Sequence, residues 1–370
     1  MWRSVTRLDM HVKGAKSKFL LQLYTAIWPS GGSPAPHNSK IFATDSVLVP
    51  ASGYISPWDL DEGPDDIAAS ATDTFNSEDE DMGISDESMS EDVTTNTEED
   101  GQAEEHSTQT ISFQRKTLDF TRLSHYNSFA MVPPRLLVRS EYEELAALAE
   151  TLDRHTVLTG QPGVRKSYAL YYLLARRLSC GLPTIFAKAD NQWYFFCDLG
   201  VYLLNATNLD YLLDDFAQIH ASEPVDTNKI LHQSTIILID SRDGEPFPRI
   251  SVPAEWIYIV ASSPNRKRYK HWVKQNTAAF WVMRTWSWSE IYAARDMRRP
   301  KRVIDVNELR VTFTKFSHTA WVVYLTHTRG QERAIAYALG SLSPHLLASL
   351  IRQDHSVEAD IYSQLVEVNP

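Results

Sequence analysis

Cysteine, long apolar runs and metal-ligand spacing are all scarce in this sequence of 370 residues. Cys180 and Cys197 are the only cysteines, too few for a disulfide framework or a four-cysteine zinc site, and they suit a reducing compartment. The twelve histidines show no metal-ligand spacing. No apolar stretch reaches membrane length, because the run over residues 19–28 has ten residues and two polar interruptions. We therefore expect no zinc core and no membrane span.

Basic residues are missing from one long segment. Residues 59–105, the acidic arm, hold nineteen Asp and Glu and no Lys or Arg, a charge of −19. The chain has 36 Lys and Arg against 47 Asp and Glu, so the 28 acidic residues outside the arm leave a body of net charge +8. A segment so acidic cannot bury enough apolar surface to offset chain entropy. Residues 30–111 are therefore predicted to be mostly a disordered linker.

Two roles stay open for the acidic arm. It is a solvating spacer, or it is an acidic or phosphorylated segment that binds a protein partner. The second role is suggested by Ser77 and Ser88, each of which is followed three residues later by a glutamate.

Residues 1–29 form the N-terminal segment, with five Lys and Arg ahead of the apolar run. A secretory signal would have a shorter charged region and a clear small-residue cleavage site. A short amphipathic helix or a frayed terminus is expected here rather than a signal or organellar targeting sequence. We accordingly expect the protein in the cytoplasm or nucleus.

A folded core is predicted over residues 112–300. Ser140 and Glu143 match a capping box, and apolar residues recur at helical spacing after it, so a helix is expected before residue 155. A short β-prone run at 155–159 then leads into a glycine-bearing loop, and residues 168–178 are strongly helical. Strand, loop and helix in this order are the context of a phosphate-binding loop.

The loop has the residue types that phosphate binding needs. Glycines let backbone amides converge on an anion, lysine reaches the β- and γ-phosphates, and a serine hydroxyl ligates Mg²⁺. Arg165 departs from the pattern, which has glycine before the lysine, so this is a degenerate Walker A motif. The candidate nucleotide-binding residues are Gly160, Gln161, Pro162, Gly163, Val164, Arg165, Lys166 and Ser167.

Asp240 ends a continuous apolar, β-branched run over residues 234–239. Such a run favours a central parallel strand buried on both faces, whose carboxyl end would lie beside the loop. There Asp240, together with Ser167, would bind Mg²⁺ through water, and it is a candidate catalytic residue. The alternative is a core strand that happens to end in a capping aspartate.

A third strand-like run, over residues 256–261, ends in Ser262-Ser263-Pro264-Asn265. In many nucleotide hydrolases a polar residue on the strand beside the carboxylate strand orients the attacking water or senses the γ-phosphate. Asn265 and Ser263 are candidates for that role, and a plain turn is the alternative.

Several motifs together resemble the P-loop ATPase-like domain of fungal crinkler and retrotransposon-hot-spot-type proteins, over about residues 130–355. The resemblance implies an α/β fold with a P-loop NTPase-like parallel sheet flanked by helices, related to AAA and STAND ATPases. It also implies ATP and Mg²⁺ as cofactors. The motifs are the loop at 160–167, Tyr168, Tyr171 and Tyr172, Pro183–Phe186, Trp193–Phe196, Gly200–Tyr202, Leu238–Ser241, Ala261–Pro264, Trp281–Met283, Trp286 and Glu290.

Two departures bear on activity. Arg165 brings a Cβ and a guanidinium into the phosphate cradle, and Ser241 follows Asp240 where a hydrolytic AAA-type ATPase usually has a glutamate to activate water. The sequence therefore predicts a nucleotide-binding protein with weak ATP hydrolysis at most. The alternative is an inactive pseudo-ATPase that acts as a protein- or nucleic-acid-interaction scaffold.

Basic residues mark the C-terminal third. Residues 266–274 interleave basic and aromatic side chains, which is typical of a solvated helix face, of nucleic-acid contact, or of an arginine (Arg266 or Arg268) that reaches a nucleotide phosphate. A second basic cluster spans 295–302. Residues 301–370 are predicted to form a small helical, lid-like region. In it 311–313 favour a strand, 320–325 a strand or a buried helix, and 331–342 a helix.

Overall fold

The computed structural model describes residues 5–8, 14–29, 41–51, 110–123, 132–188, 192–205, 235–241, 256–264, 266–297, 304–315 and 320–325. The chain divides into two units, Met1–Val49 with Ser112–Pro370 and, separately, Pro50–Ile111. The elements below belong to the first unit, apart from the end residues of β2 and β3. The strands are β1 Val5–Arg7, β2 Phe42–Pro50, β3 Thr110–Asp119, β4 Arg135–Val138, β5 Thr156–Gly160, β6 Thr184–Lys188, β7 Gln192–Cys197, β8 Gly200–Asn205, β9 Ile236–Asp240, β10 Ile257–Ala261 and β11 Ala279–Met283.

Seven α-helices accompany these strands in the described part of the chain. They are α1 Ala15–Ile27, α2 Ser140–Ala149, α3 Lys166–Ser179, α4 Arg266–Asn276, α5 Trp288–Ala294, α6 Val306–Lys315 and α7 Ala320–Leu325. The protein therefore has the α/β architecture that the sequence predicts. None of these helices is long and apolar enough to cross a membrane.

The main sheet has eight strands in the order β1-β8-β7-β6-β9-β10-β5-β11. Five neighbouring strands, from β6 to β11, are parallel, whereas β7, β8 and β1 are antiparallel. The expectation of a parallel sheet thus holds for the half that carries the loop, and the sheet as a whole is mixed. The reason is that β7 and β8 are joined by the two residues 198–199, and so short a connection permits only an antiparallel pair.

Helices cover both faces of the parallel strands. On one face α3 packs with Leu158, Phe186, Leu238 and Ile259. On the other face Tyr269 and Trp272 of α4 pack with residues that alternate with these, including Val157, Ile237 and Val260. Every residue of β5 and β9 is buried, as the continuous apolar run before Asp240 predicts.

The N-terminal segment contains the expected helix, α1, and this helix belongs to the core. Phe19 meets the ring of Tyr171 edge-on, and the Ser17 hydroxyl is hydrogen-bonded to the Tyr194 hydroxyl over 2.9 Å. Tyr24 donates to the carbonyl of Cys197 over 2.8 Å, and burial raises the pKa of that tyrosine. The apolar run over 19–28 is therefore explained by packing against α3 and the sheet.

Three local predictions were wrong. Residues 42–50 lie within the segment predicted to be mostly disordered, but they form β2, whose short apolar run Val47–Val49 was outweighed in the sequence by the acidic arm. Ser140 is the first residue of α2 and Arg139 its N-cap, without a side-chain cap, because a guanidinium has only N–H donors and cannot accept a helix amide. Residues 311–313 lie inside α6 rather than in a strand.

Other predictions have different outcomes. Residues 320–325 form a helix, α7, which resolves the choice left open by the sequence. A true capping box occurs at α5, where the side chain of Ser287 caps the Glu290 amide and the reverse bond is also made. The acidic arm, the helix expected at 331–342 and residues 298–302 of the second basic cluster lie outside the described residues.

His155 gives a pH-dependent test of the sheet. Its Nδ1 accepts the Tyr258 amide over 3.2 Å, and burial lowers the pKa of the imidazole. Below the unfolded pKa of about 6.5 the unfolded chain binds more protons than the folded one, so this contribution to stability is complete above that pH and is lost as pH falls towards the folded pKa. His155→Gln should therefore reduce the loss of unfolding free energy between about pH 7 and pH 5, measured by urea denaturation. A pH dependence in His155→Gln equal to that of the wild type would refute this role.

Candidate functional site

The loop at 160–167 joins β5 to α3 at the carboxyl edge of the parallel strands. Gly160 has φ 132° and Gly163 has φ 85°, conformations that side chains rarely adopt. A Cβ on Gly160 would lie 2.8 Å from the carbonyl oxygen of Met283 on β11. Glycine is thus required at position 160 both by its backbone conformation and by the close approach of β11.

Arg165 adopts the left-handed conformation, with φ 71° and ψ 43°, and is the N-cap of α3. Glycine would take this conformation without strain, which is the physical counterpart of the glycine that the motif has here. The guanidinium lies 4.9 Å from the ring centre of Tyr168, one turn into the helix. The carbonyl of Arg165 accepts the amides of Tyr168 and Ala169. The loop therefore keeps its turn into α3 despite the arginine.

Lys166 folds across the loop. Its Nζ donates to the carbonyl of Gly160 over 2.8 Å and to that of Gln161 over 3.1 Å. An anion that entered the loop would compete with these carbonyls for the ammonium. The first turn of α3 also begins here, so the Lys166 and Ser167 amides lie at the positive end of the helix dipole. Positive charge and helix amides are thus concentrated at one place.

Ser167 and Asp240, 73 residues apart, meet at the mouth of the loop. The Ser167 hydroxyl donates to Oδ1 of Asp240 over 2.8 Å, and the Asp240 residue is only 9% exposed at the end of β9. A hydroxyl beside a carboxylate is a donor set that suits Mg²⁺. Among the residues that the structure describes, no group of three or more His, Cys, Asp or Glu side chains is arranged so that it could hold a metal ion. A magnesium ion here would therefore need phosphate oxygens and water as its remaining ligands.

The strand between β5 and β9 also ends in polar residues. β10 lies between those strands, Ala261 is the register partner of Asp240, and Ser262 and Ser263 follow. Ser262 is buried, its amide donates to the carbonyl of Leu158, and its hydroxyl has no hydrogen-bond partner among the described residues. Ser263 is thus placed at the same edge as the loop. Asn265, the other candidate on this strand, lies outside the described residues.

Two aromatic side chains that were not predicted as site residues donate hydrogen bonds to backbone carbonyls of the loop. Trp286 donates its indole N–H to the carbonyl of Val164 over 3.2 Å, and Tyr142 donates its hydroxyl to the carbonyl of Arg165 over 3.3 Å. Burial raises the pKa of Tyr142, so it keeps its proton at neutral pH. Trp286 was one of the motif residues of the resemblance, but the sequence did not indicate its contact with the loop or that of Tyr142. Both contacts join segments that are far apart in sequence.

A buried arginine fixes both supports. Arg139 is 3% exposed, donates to Oε1 of Glu290 over 2.9 Å and forms an ion pair with Oε2 of Glu141 over 3.0 Å. It also donates to the carbonyls of Arg284 and Thr285, and its guanidinium lies 5.1 Å from the ring centre of Trp286. The Arg139 guanidinium therefore joins the start of α2 to the segment after β11, next to the two aromatic residues that bond the loop.

The pKa shifts within this cluster favour a charged guanidinium that is paired with carboxylates. Burial opposes the charge of Arg139, but Glu290 and the other neighbours more than compensate, so the pKa of Arg139 is raised. Burial raises the pKa of Glu141, against the opposing effects of Arg139 and of the Arg284 amide, which donates to Glu141 over 2.7 Å. The cluster is a structural support, because each charge is buried and occupied by another part of the chain.

The sequence was compared with protein-family models and with curated proteins, and neither comparison finds a match. The case for a function therefore depends on the geometry of the loop and its surroundings.

Removing one hydroxyl tests the support of the loop. Tyr142→Phe deletes the bond to the Arg165 carbonyl but keeps the ring, so the free energy of unfolding should fall by about 1 kcal/mol in urea denaturation. The matched control is Tyr172→Phe, a buried tyrosine whose ring centre lies 6.2 Å from that of Tyr142. It should cost less than about 0.5 kcal/mol, because no protein group accepts a hydrogen bond from it among the described contacts. Equal losses in the two variants would contradict the assignment.

Proposed function

We propose that this protein binds a magnesium-bound nucleoside triphosphate, ATP in the first instance, at the 160–167 loop. The observation that carries the proposal is the meeting of Ser167 and Asp240 over 2.8 Å beside the ammonium of Lys166. In a P-loop NTPase-like site these are the hydroxyl and carboxylate that hold Mg²⁺ and the cation that holds the β- and γ-phosphates. The ammonium, hydroxyl and carboxylate that such a site needs thus lie at the same edge of the sheet.

The topology of the sheet supports the same site. Ligands of open α/β sheets bind outside the carboxyl ends of the strands, where neighbouring connections leave in opposite directions. Here β5 leads through α3 towards β6, while the adjacent β10 leads through α4 past β5 to β11. The loop lies at this switch point. The proposed resemblance to crinkler-type P-loop ATPase-like domains is carried in part by this same loop and by Asp240.

The bound metal would supply neutralisation of phosphate charge, and the other roles belong to the chain. Ser167 and Asp240 would hold Mg²⁺, directly or through water. Lys166 would leave the carbonyls of Gly160 and Gln161 for the phosphates, and the amides of the loop and of the first turn of α3 would point at the anion. The supports from Trp286 and Tyr142 keep the loop backbone in place, so little reorganisation is needed on binding.

Hydrolysis is proposed to be slow. Ser241 follows Asp240, and its amide is bonded to the Ala261 carbonyl. No second carboxylate stands beside Asp240 at the described ends of β9 and β10. A general base for the attacking water is therefore not provided by these residues. This observation favours a nucleotide-binding protein, or a pseudo-ATPase scaffold that uses nucleotide binding, over an efficient ATPase.

Titration of purified protein with ATP and Mg²⁺ by isothermal calorimetry tests the proposal. Lys166→Ala should weaken binding by about 10- to 100-fold, because a charge-assisted hydrogen bond to phosphate is lost. Asp240→Asn should weaken binding with Mg²⁺ more than binding in the presence of a chelator. The control is Lys116→Ala, whose ammonium instead bonds Glu143 at the surface. Absence of saturable binding at millimolar ATP, or equal affinity in Lys166→Ala, would reject the site.

Arg165→Gly tests the departure from the motif. Removing the Cβ and guanidinium opens the phosphate-binding loop, so the affinity for Mg-ATP should rise about 3- to 10-fold. The free energy of unfolding should change little, because relief of the left-handed backbone strain offsets the loss of the contact with Tyr168. Thr277, with φ 48°, is the other described residue of this kind outside glycine. Thr277→Gly should stabilise the protein without changing affinity. Weaker binding in Arg165→Gly would mean that the guanidinium itself holds phosphate.

A further inference from the structure

One charged and aromatic surface is not used by the nucleotide site. We define the α4 surface by Lys270, His271 and Lys274 of α4 and by Phe280 of β11. None of these residues belongs to the loop, to β9 or to the cluster around Arg139. A ligand for this surface can therefore be tested without nucleotide.

The charge of the surface is unbalanced. Residues 266–276 contain five Lys and Arg, one His and no Asp or Glu. Lys270, His271 and Lys274 are exposed, and no ion pair of these side chains is found among the described residues. Lys270 and Lys274 are four residues apart, which places their backbones about 6 Å apart along one side of the helix. Cations repeated along one face without internal partners are suited to a chain of anions.

An exposed aromatic ring lies beside α4. Phe280 is 49% exposed and Val282 is 66% exposed, whereas Trp281 and Met283 between and after them pack against the opposite core. Alternation along β11 therefore places Phe280 and Val282 on the α4 side of the sheet. The ring centre of Phe280 lies 5.5 Å from that of Tyr269 on α4, so the ring is held against the basic helix. A large apolar ring left half in water at the end of the sheet calls for a ligand with a flat face.

We propose that the α4 surface binds single-stranded nucleic acid. Its phosphates would contact Lys270 and Lys274, and a base would stack on Phe280. An acidic polypeptide would satisfy the charges but would give the ring no stacking partner. A duplex keeps its bases stacked inside, so it would use the lysines alone. The combination of cations with an exposed ring is what favours a single strand.

The first experiment measures fluorescence anisotropy of a labelled 20-mer of thymidine with the full chain, without ATP or Mg²⁺. Lys270→Glu with Lys274→Glu should weaken binding at least tenfold and reduce the magnitude of the slope of log K against log salt by about 1.4. The control, Lys18→Glu with Arg122→Glu, makes the same change in net charge on α1 and after β3. It should leave the affinity within about twofold. Lys166→Ala should bind the 20-mer as the wild type does, so failure of the nucleotide site and failure of this surface are distinguishable.

The second experiment separates stacking from charge. Phe280→Leu keeps an apolar side chain but loses the flat ring, so affinity for the 20-mer should fall about fivefold or more with an unchanged salt slope. Val282→Ser on the same face should have little effect.

Three results would overturn the proposal. The first is an affinity for the 20-mer that is the same in the double lysine variant as in the wild type. The second is an affinity for the 20-mer that is unchanged in Phe280→Leu, together with equally tight binding of a duplex. The third is displacement of the 20-mer by polyglutamate at the same concentration of charge. The last two would assign the surface to a duplex or to an acidic protein.

Discussion

The guanidinium of Arg139 holds together the parts of the molecule that shape the loop. It is buried between Glu141 at the start of α2 and Glu290 on α5, and it also bonds the carbonyls that follow β11. Removing one partner of such a buried pair is costly, because the remaining charges lose their compensation. Trp286 and Tyr142, which contact the same guanidinium, bond the carbonyls of Val164 and Arg165. The shape of the loop thus depends on contacts made between three distant segments.

The sheet provides the second constraint. Because β10 lies between β5 and β9, the loop and Asp240 are separated by a single strand at one edge, and α3 brings Ser167 back to the carboxylate. Gly160 must be glycine for β11 to pack against β5, since Met283 leaves no room for a Cβ. The same features that bury the core therefore place a cation, a hydroxyl and a carboxylate together. That arrangement is what the proposed nucleotide site requires.

Local patterns predicted the loop and the buried strands, but not their surroundings. The apolar run ending in Asp240 and the strand–loop–helix order could be predicted because each is continuous in sequence. Arg139 bonds Glu290 and Trp286 bonds the Val164 carbonyl, each more than 100 residues away, and no local pattern encodes those contacts. Ser140 shows the limit of short motifs, since it matches a capping box whose cap position is occupied by Arg139. β2 was missed because the composition of its segment is dominated by the acidic arm.

A structure of the protein with Mg²⁺ and a non-hydrolysable ATP analogue tests the central claim most directly. The account predicts that Nζ of Lys166 leaves the Gly160 carbonyl and lies within hydrogen-bond distance of the β- or γ-phosphate. It also predicts the metal at about 2.1 Å from the Ser167 hydroxyl or a bridging water, with Asp240 beside it. An analogue bound elsewhere at saturating concentration, with Lys166 still on the loop carbonyls, would contradict the account.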